Sequence, residues 1–151
     1  MDSTLSHRAD RKARQLVDRH YSRQTRGSTQ FVRPGSCLVL WRPGAVWVSV
    51  WQDHVMHRWG DRWECTVFRN ESDLLSSDLI RQAVRATVWK FGSCPGLTFV
   101  DPSEVGDGEP GYCFRCAGWR RDGQTDAGKY AWTLDNLPDP CAPVGAQLAF
   151  A

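Results

Sequence analysis

His20, Tyr21 and Ser22 are three adjacent residues capable of proton transfer, and they directly follow a basic segment. A histidine near its ordinary pKa of about 6.5 can act as a general base at neutral pH. Hydroxyl groups beside it can pass on or donate a proton. These three residues are therefore a candidate catalytic group. The alternative is that they only end the preceding helix.

A second candidate, Asp101, ends the short apolar segment Leu97 to Val100. In open α/β sheets, ligands and catalytic groups collect at the carboxyl ends of strands. We therefore predict a catalytic role for Asp101. Because Pro102 follows it, the alternative is an Asp-Pro turn with a structural role.

The connection from Arg69 to Ser77 joins a predicted strand to a predicted helix. A helix N-terminus offers free N–H groups and the positive end of the helix dipole, so it can hold an anion or polarise a carbonyl. Arg69, Ser76 and Ser77 would complete such a site. The alternative is that the serines cap the helix and that Arg69 pairs with Glu71 or Asp73.

The pair Cys113 and Cys116 has the spacing of half a zinc site. A second half would have to come from the remaining thiols and imidazoles, and no other close cysteine pair occurs. His54 and His57 give a similarly weak indication of metal binding. A packed turn is the favoured interpretation of Cys113 to Cys116.

Positive charge is concentrated near the N-terminus, although the whole chain has a net charge of only +2. Between His7 and Arg33, eight basic residues stand against two acidic ones, which gives a local charge of +6. This distribution could steer an anionic partner toward one face. The alternative is a solvated basic helix. The residues that would contact the partner are Arg8, Arg11, Lys12, Arg14, Arg19 and Arg23.

The chain of 151 residues suits one domain, and its eight Trp and six Phe suit an aromatic core. The polar N-terminus has no apolar signal region, and no apolar segment has membrane-spanning length. We therefore expect a cytoplasmic protein with reduced cysteines and no membrane partner. The sequence does not give the oligomeric state.

The pattern of residues predicts a single α/β domain over residues 7–135. Helical spacing and turn signals predict helices at 7–19, from Ser76 or Ser77 to 91, and at 113–117. Alternating apolar residues predict strands at 37–41, 46–51, 63–68, 97–100, 119–121 and 129–134. This order implies a mixed, mostly antiparallel central sheet flanked by helices. Residues 1–6 and the Pro-rich residues 136–151 are predicted tails.

The segment from Gly111 to Trp119, GYCFRCAGW, resembles the late signature of GNAT-like acyltransferases. In that signature an aromatic and a basic residue on a short helix precede the last hairpin. From about residue 15 to 135 the chain resembles the Mom-like branch of phage DNA-modification proteins. The further matching pieces are His20-Tyr21-Ser22, Arg69-Asn70, Ser76-Ser77 and Thr98-Phe99-Val100-Asp101-Pro102.

The resemblance implies an enzyme of a phage or prophage that modifies an exocyclic amine of DNA, with adenine as the expected base, to evade restriction. It implies that His20, Tyr21, Ser22 and Asp101 are catalytic. It also implies an iron ion, for which Tyr21 and Asp101 would be ligands. The implied donor-binding residues are Arg69, Asn70, Ser76 and Ser77.

The resemblance further implies that the basic helix contacts the phosphates of double-stranded DNA. The target base would have to be flipped out, because its amine is otherwise held within the stack.

The chain departs from ordinary GNAT enzymes because Arg69 to Ser77 contains no glycine. Those enzymes bind the pyrophosphate of acetyl-CoA with a glycine-containing loop, since side chains prevent close approach. We therefore expect no conventional acetyl-CoA site, although the donor stays open. Two alternatives remain: an acyl-CoA-dependent N-acetyltransferase for a small or protein amine, and a catalytically silent module that binds DNA or a host protein.

Overall fold

The fold is described from a computed structural model, which covers residues 3–20, 31–52, 58–104 and 108–146. None of the described helices is long and apolar enough to cross a bilayer. The elements in chain order are β1 (Thr4–Leu5), α1 (Arg11–Asp18), β2 (Ser36–Arg42), β3 (Ala45–Trp51), β4 (Trp63–Asn70), α2 (Ser76–Phe91), β5 (Gly96–Val100), a 3₁₀ turn (Pro102–Glu104), α3 (Tyr112–Cys116), β6 (Arg120–Gln124) and β7 (Tyr130–Leu134).

The strands form one seven-stranded sheet in the order β1-β2-β3-β4-β5-β7-β6. Every neighbouring pair is antiparallel except β4 and β5, which are parallel. Parallel neighbours need a long crossover connection, and α2 supplies it. The structure thus confirms the predicted α/β domain with a mixed, mostly antiparallel sheet flanked by helices.

Helix α1 covers one face of the sheet across β2, β3 and β4. Asp10 caps the helix by accepting a hydrogen bond from Lys12 N at 2.8 Å. The helix therefore begins at Arg11 rather than at the predicted residue 7. Its buried side consists of Ala13, Leu16 and Val17, which pack with the valines of the three strands. The other side remains polar.

Helices α2 and α3 cover the opposite face, where most of the aromatic core lies. Buried α2 residues such as Ile80 and Val84 pack on large rings of the sheet. Trp63 is fully buried and meets Trp47 and Trp119 edge to face, with centroids 6.2 and 5.6 Å apart. Rings at these distances favour tilted contacts, which stabilise one arrangement of the core.

A β-bulge interrupts β4 at Thr66. Val48 on β3 lies opposite Val67, but the next residue, Ser49, lies opposite Cys65, so Thr66 is an extra residue on β4. In a regular strand Cys65 and Val67 would face the same side. Here Cys65 belongs to the core under α2, whereas Val67 belongs to the core under α1. The bulge thus switches the face of the sheet toward which the β4 side chains after Thr66 point.

Described residues of both predicted tails, 1–6 and 136–151, contact the sheet or its helices. Thr4 and Leu5 pair with β2, and Leu5 N donates to Val144 O at 2.7 Å. Cys141 N donates to Arg85 O on α2 at 3.1 Å. Strand β2 would otherwise expose unpaired backbone groups, so the added strand β1 protects its edge.

The prediction that Ser76 or Ser77 caps α2 is also wrong. The N-cap residue is Leu75, which has extended backbone angles and makes no side-chain capping hydrogen bond. The Leu75 carbonyl accepts from Asp78 N and Leu79 N. Both serines therefore lie within the first turn of the helix.

Gly111, which precedes α3, has φ +87°, and a Cβ at this position would overlap the Trp132 indole. Gly111→Ala should therefore lower the free energy of unfolding by about 3 kcal/mol, from backbone strain and overpacking. Gly118 has φ +94° but no atom near its missing Cβ, so Gly118→Ala should cost only about 1 kcal/mol. Urea denaturation measures both, and equal losses would argue against the close contact with Trp132.

Candidate functional site

The candidate site is a cleft of about 320 Å³ between β4 and β5. It is lined from both sides of the sheet, by His20, two residues after the end of α1, and by α3 with its preceding turn. The lining residues are His20, Cys65, Thr66, Phe68, Thr98, Phe99, Val100, Glu109, Gly111, Tyr112, Cys113 and Phe114.

The cleft opens because β4 and β5 pair over only three positions. These are Trp63 with Gly96, Glu64 with Leu97, and Cys65 with Thr98. Beyond them β4 continues for five residues and β5 for two. At the last pair the Thr98 hydroxyl donates to Cys65 O at 2.8 Å. The bulge at Thr66 comes next, and bulges commonly end pairing beside active sites.

Helix α3 closes the cleft on the α2 side of the sheet. Phe114 is 5% exposed and contacts Phe68 and Trp119, with ring centroids 6.2 and 5.1 Å apart. These contacts fix α3 against β4. Tyr112, at the start of α3, is 60% exposed, so the cleft is open to solvent beside its ring.

His20, a predicted catalytic residue, lines the cleft and is 9% exposed. Burial, with a smaller effect of the Arg69 charge, lowers the pKa of His20 to about 4. At neutral pH the imidazole is therefore uncharged and has one donor and one acceptor nitrogen. Tyr21 and Ser22, the other members of the predicted group, lie outside the described residues.

Arg69 does not line the described part of the cleft. Its Nε donates to Glu71 Oε2 at 2.5 Å, and its Nη1 donates to the Arg19 carbonyl at 2.9 Å. Arg19 binds the same carboxylate at 2.7 and 3.0 Å. The two guanidinium groups lower the pKa of Glu71 to about 2. Arg69 thus ties the end of β4 to the backbone before His20, in agreement with the alternative of pairing with Glu71.

Asn70 organises the loop between β4 and α2. Its Nδ2 donates to Leu74 O at 2.7 Å and to Ser76 Oγ at 3.0 Å, and its Oδ1 accepts from Ser72 N at 2.9 Å. Ser77 is 5% exposed. Asn70 and Ser76 are thus in contact, but none of the predicted donor-binding residues lines the cleft.

Asp101 lies immediately after β5, as predicted, but it is absent from the cleft lining. Its Oδ1 accepts hydrogen bonds from Ser103 N at 2.9 Å and from Ser103 Oγ at 2.7 Å. These bonds, and the Lys129 charge to a smaller extent, lower the pKa of Asp101. The geometry agrees with the Asp-Pro turn.

The predicted DNA-binding residues differ in how extensively they contact the rest of the protein. Arg8 donates to Gly35 O at 2.5 Å, and Arg19 is paired with Glu71. Lys12 lies 4.9 Å from the Trp41 ring centroid and is exposed, as is Arg11. Arg14 is half-buried, and Arg23 lies outside the described residues. Arg11 and Lys12 are thus the most available cations on α1.

The thiols at the cleft are not activated. Burial raises the pKa of Cys65 and of Cys113, so both stay protonated at neutral pH. Within the described ranges no three His, Cys, Asp or Glu side chains could hold a metal ion. Of the two implied iron ligands, Tyr21 lies outside those ranges and Asp101 Oδ1 is bound to Ser103. The described residues do not form an iron site by themselves, and His54 and His57 lie outside the described residues.

Sequence reasoning missed Glu109 and Tyr112. The adjacent Pro110 and Gly111 could have indicated a turn, since this pair favours one. Nothing in the spacing places that turn beside β4 and β5, because this contact joins segments distant in the chain.

Comparison with known proteins gives no relative. No family model matches the chain, and neither a curated protein nor a solved structure matches it at a significant level. The fold and the cleft therefore carry the functional argument.

His20→Gln should flatten the dependence of stability on pH. The unfolded chain takes up a proton at His20 near pH 6.5, but the folded protein does so only near pH 4. The free energy of unfolding of the parent should therefore fall by up to about 3 kcal/mol as the pH falls from 6.5 to below 4. In urea denaturation at several pH values, the free energy of unfolding of His20→Gln should lack this part of the decrease.

The matched control is His7→Gln, because His7 is exposed. It should keep the pH dependence of the parent. A His20→Gln profile identical to that of the parent would mean that His20 is not buried in its neutral form.

Proposed function

We propose that this protein is a GNAT-like transferase of phage or prophage origin that modifies an exocyclic amine of a DNA base, with adenine as the first candidate. The observation that carries the proposal is the cleft between the diverging parallel strands β4 and β5. Small-molecule sites in sheets with parallel strands favour the carboxyl ends of those strands. The transferred group and the acceptor amine would meet there.

The architecture supports the GNAT-like part of the proposal. The resemblance implies a mostly antiparallel sheet in which a strand–loop–helix unit binds the donor. Here β4, the loop organised by Asn70, and α2 form such a unit, and β4 borders the cleft. The Phe114 side chain, within the resembling signature, closes the other side of the cleft.

The state of His20 favours a nucleobase amine over an aliphatic one. An aliphatic amine like that of lysine has a pKa of about 10.4 and is charged at neutral pH, so it must lose a proton before attack. An imidazole with a pKa of about 4 is a weak base for this step. The exocyclic amine of a base is already neutral. His20 would only orient it and accept its proton as the new bond forms.

The basic surface of α1 supports DNA as the carrier of that amine. Arg11 and Lys12 extend into solvent on the helix that leads to His20. Cations on this helix would bind phosphates and hold the duplex beside the cleft. The target base would reach the cleft by flipping out of the stack.

The alternative of an acyl-CoA-dependent enzyme receives less support from the loop before α2. Asn70 and Ser72 fill this loop with their own hydrogen bonds, and it contains no glycine. A pyrophosphate would have to displace these contacts. The second alternative, a silent module that binds DNA or a host protein, predicts binding without any modification of DNA.

The test is mass spectrometry of nucleosides from the DNA of bacteria that express the parent protein, the His20→Gln variant or the His7→Gln variant. The parent and His7→Gln should yield a new nucleoside, whose mass identifies the transferred group. His20→Gln should yield at least tenfold less, since general acid–base groups typically contribute a factor of 100 or more. Unmodified DNA in all samples would reject the proposal, and DNA binding without modification would favour the silent module.

A further inference from the structure

The turn before α3 places a carboxylate and an aromatic ring side by side at the cleft. Glu109 to Tyr112 form a β-turn in which Tyr112 N donates to Glu109 O at 3.0 Å. Pro110 and Gly111 occupy its central positions, and Gly111 has φ +87°, as a type II turn requires. Because the Trp132 indole fills the space beside Gly111, the turn cannot shift without disturbing the core.

Tyr112 lines the cleft and yet is 60% exposed. A hydrogen bond with Cys116, one turn later on α3, raises the pKa of its hydroxyl. The exposed area of the ring is open to a ligand. An exposed aromatic ring at the edge of a cleft is suited to stacking on a planar ring.

Glu109 is held in a fixed orientation by Arg115. Arg115 Nε donates to Oε2 at 2.8 Å, and Nη2 donates to Oε1 at 2.5 Å. The Arg115 guanidinium lies 5.1 Å from the Trp132 ring centroid, which restrains it in turn. A carboxylate has about four lone-pair positions, so Glu109 can still accept hydrogen bonds from a ligand. The pairing also lowers the pKa of Glu109, which keeps it ionised.

We propose that Glu109 and Tyr112 form a recognition element for an amino-bearing DNA base that has flipped into the cleft. Tyr112 stacks on the base, and the Glu109 carboxylate accepts a hydrogen bond from its exocyclic amine. This inference rests on the proposed function and names its specificity residues. Thymine is disfavoured, because its only ring N–H lies between two carbonyl oxygens that the carboxylate repels.

Binding of free deoxynucleosides tests the element without requiring any transfer reaction. NMR titrations of the full chain with deoxyadenosine, deoxycytidine and thymidine give dissociation constants and report on the Tyr112 ring. The two amino-bearing nucleosides should bind about tenfold more tightly than thymidine, as expected for one hydrogen bond to a charged group. Equal binding of all three, or no binding, would overturn the inference.

Substitutions separate the two contributions. Glu109→Gln should remove the preference for amino-bearing nucleosides over thymidine, because an uncharged amide can also pair with a carbonyl. The control variant Glu104→Gln should keep this preference, because Glu104 is exposed and is not in the cleft lining. Tyr112→Ala should weaken the binding of all three nucleosides about tenfold. Tyr112→Phe should bind them like the parent, because the ring remains. A preference retained in Glu109→Gln, or unweakened binding in Tyr112→Ala, would contradict the assigned roles.

The same variants in the nucleoside mass-spectrometry experiment separate this inference from the proposed function. If the parent modifies DNA and Glu109→Gln and Tyr112→Ala do so equally well, the proposed function stands and the recognition element is wrong. If no sample contains modified DNA but the binding preferences hold, the element stands and the transferase proposal fails.

Discussion

Strand β4 loses its hydrogen-bonded partner β5 after Cys65, and this separation underlies the rest of the candidate site. The extra residue at Thr66 bends β4 and reverses the facing of the residues that follow. Cys65 thus packs under α2, while Val67 packs under α1. The core under α2 holds β4 before the bulge, and the core under α1 holds it after the bulge. Strands β4 and β5 therefore cannot close the gap by sliding. A cleft inside a sheet results, and its walls are part of the packed core.

The walls receive their functional groups from segments that are fixed elsewhere. The Arg69–Glu71–Arg19 cluster ties the end of α1 to β4, and His20 follows directly. On the other side, Trp132 and Arg115 fix the turn that carries Glu109. Such preorganised side chains lose little freedom when a substrate binds. The cleft is therefore suited to recognising one planar ligand in one orientation.

Much of the secondary structure could be predicted from the sequence, because local patterns determine it. The Pro43–Gly44 turn between apolar segments indicated the hairpin of β2 and β3, and helical spacing indicated α2. The bulge could not be predicted, since Trp63 to Phe68 looks like a regularly alternating strand. The strand at Thr4 depends on the free edge of β2, and the bridge from Val144 to Thr4 depends in turn on that strand. Local sequence encodes neither contact.

The candidate site was harder to predict than the fold. His20 was identified from its residue type and does line the cleft. Arg69 and Asp101 were predicted from their positions at strand ends, but Arg69 binds the Arg19 carbonyl after α1 and Asp101 stabilises the turn at Ser103. Glu109 and Tyr112 were missed because only tertiary contacts bring them to β4.

The most direct test of the account is NMR measurement of backbone contacts between β4 and β5. Interstrand proton contacts should connect Trp63, Glu64 and Cys65 with Gly96, Leu97 and Thr98, and should stop beyond them. Among interstrand backbone contacts, residues 67–70 should show only those to β3. Continued contacts between Val67 and Val100 would mean that the strands stay paired, that no cleft opens between them, and that the proposed site is wrong.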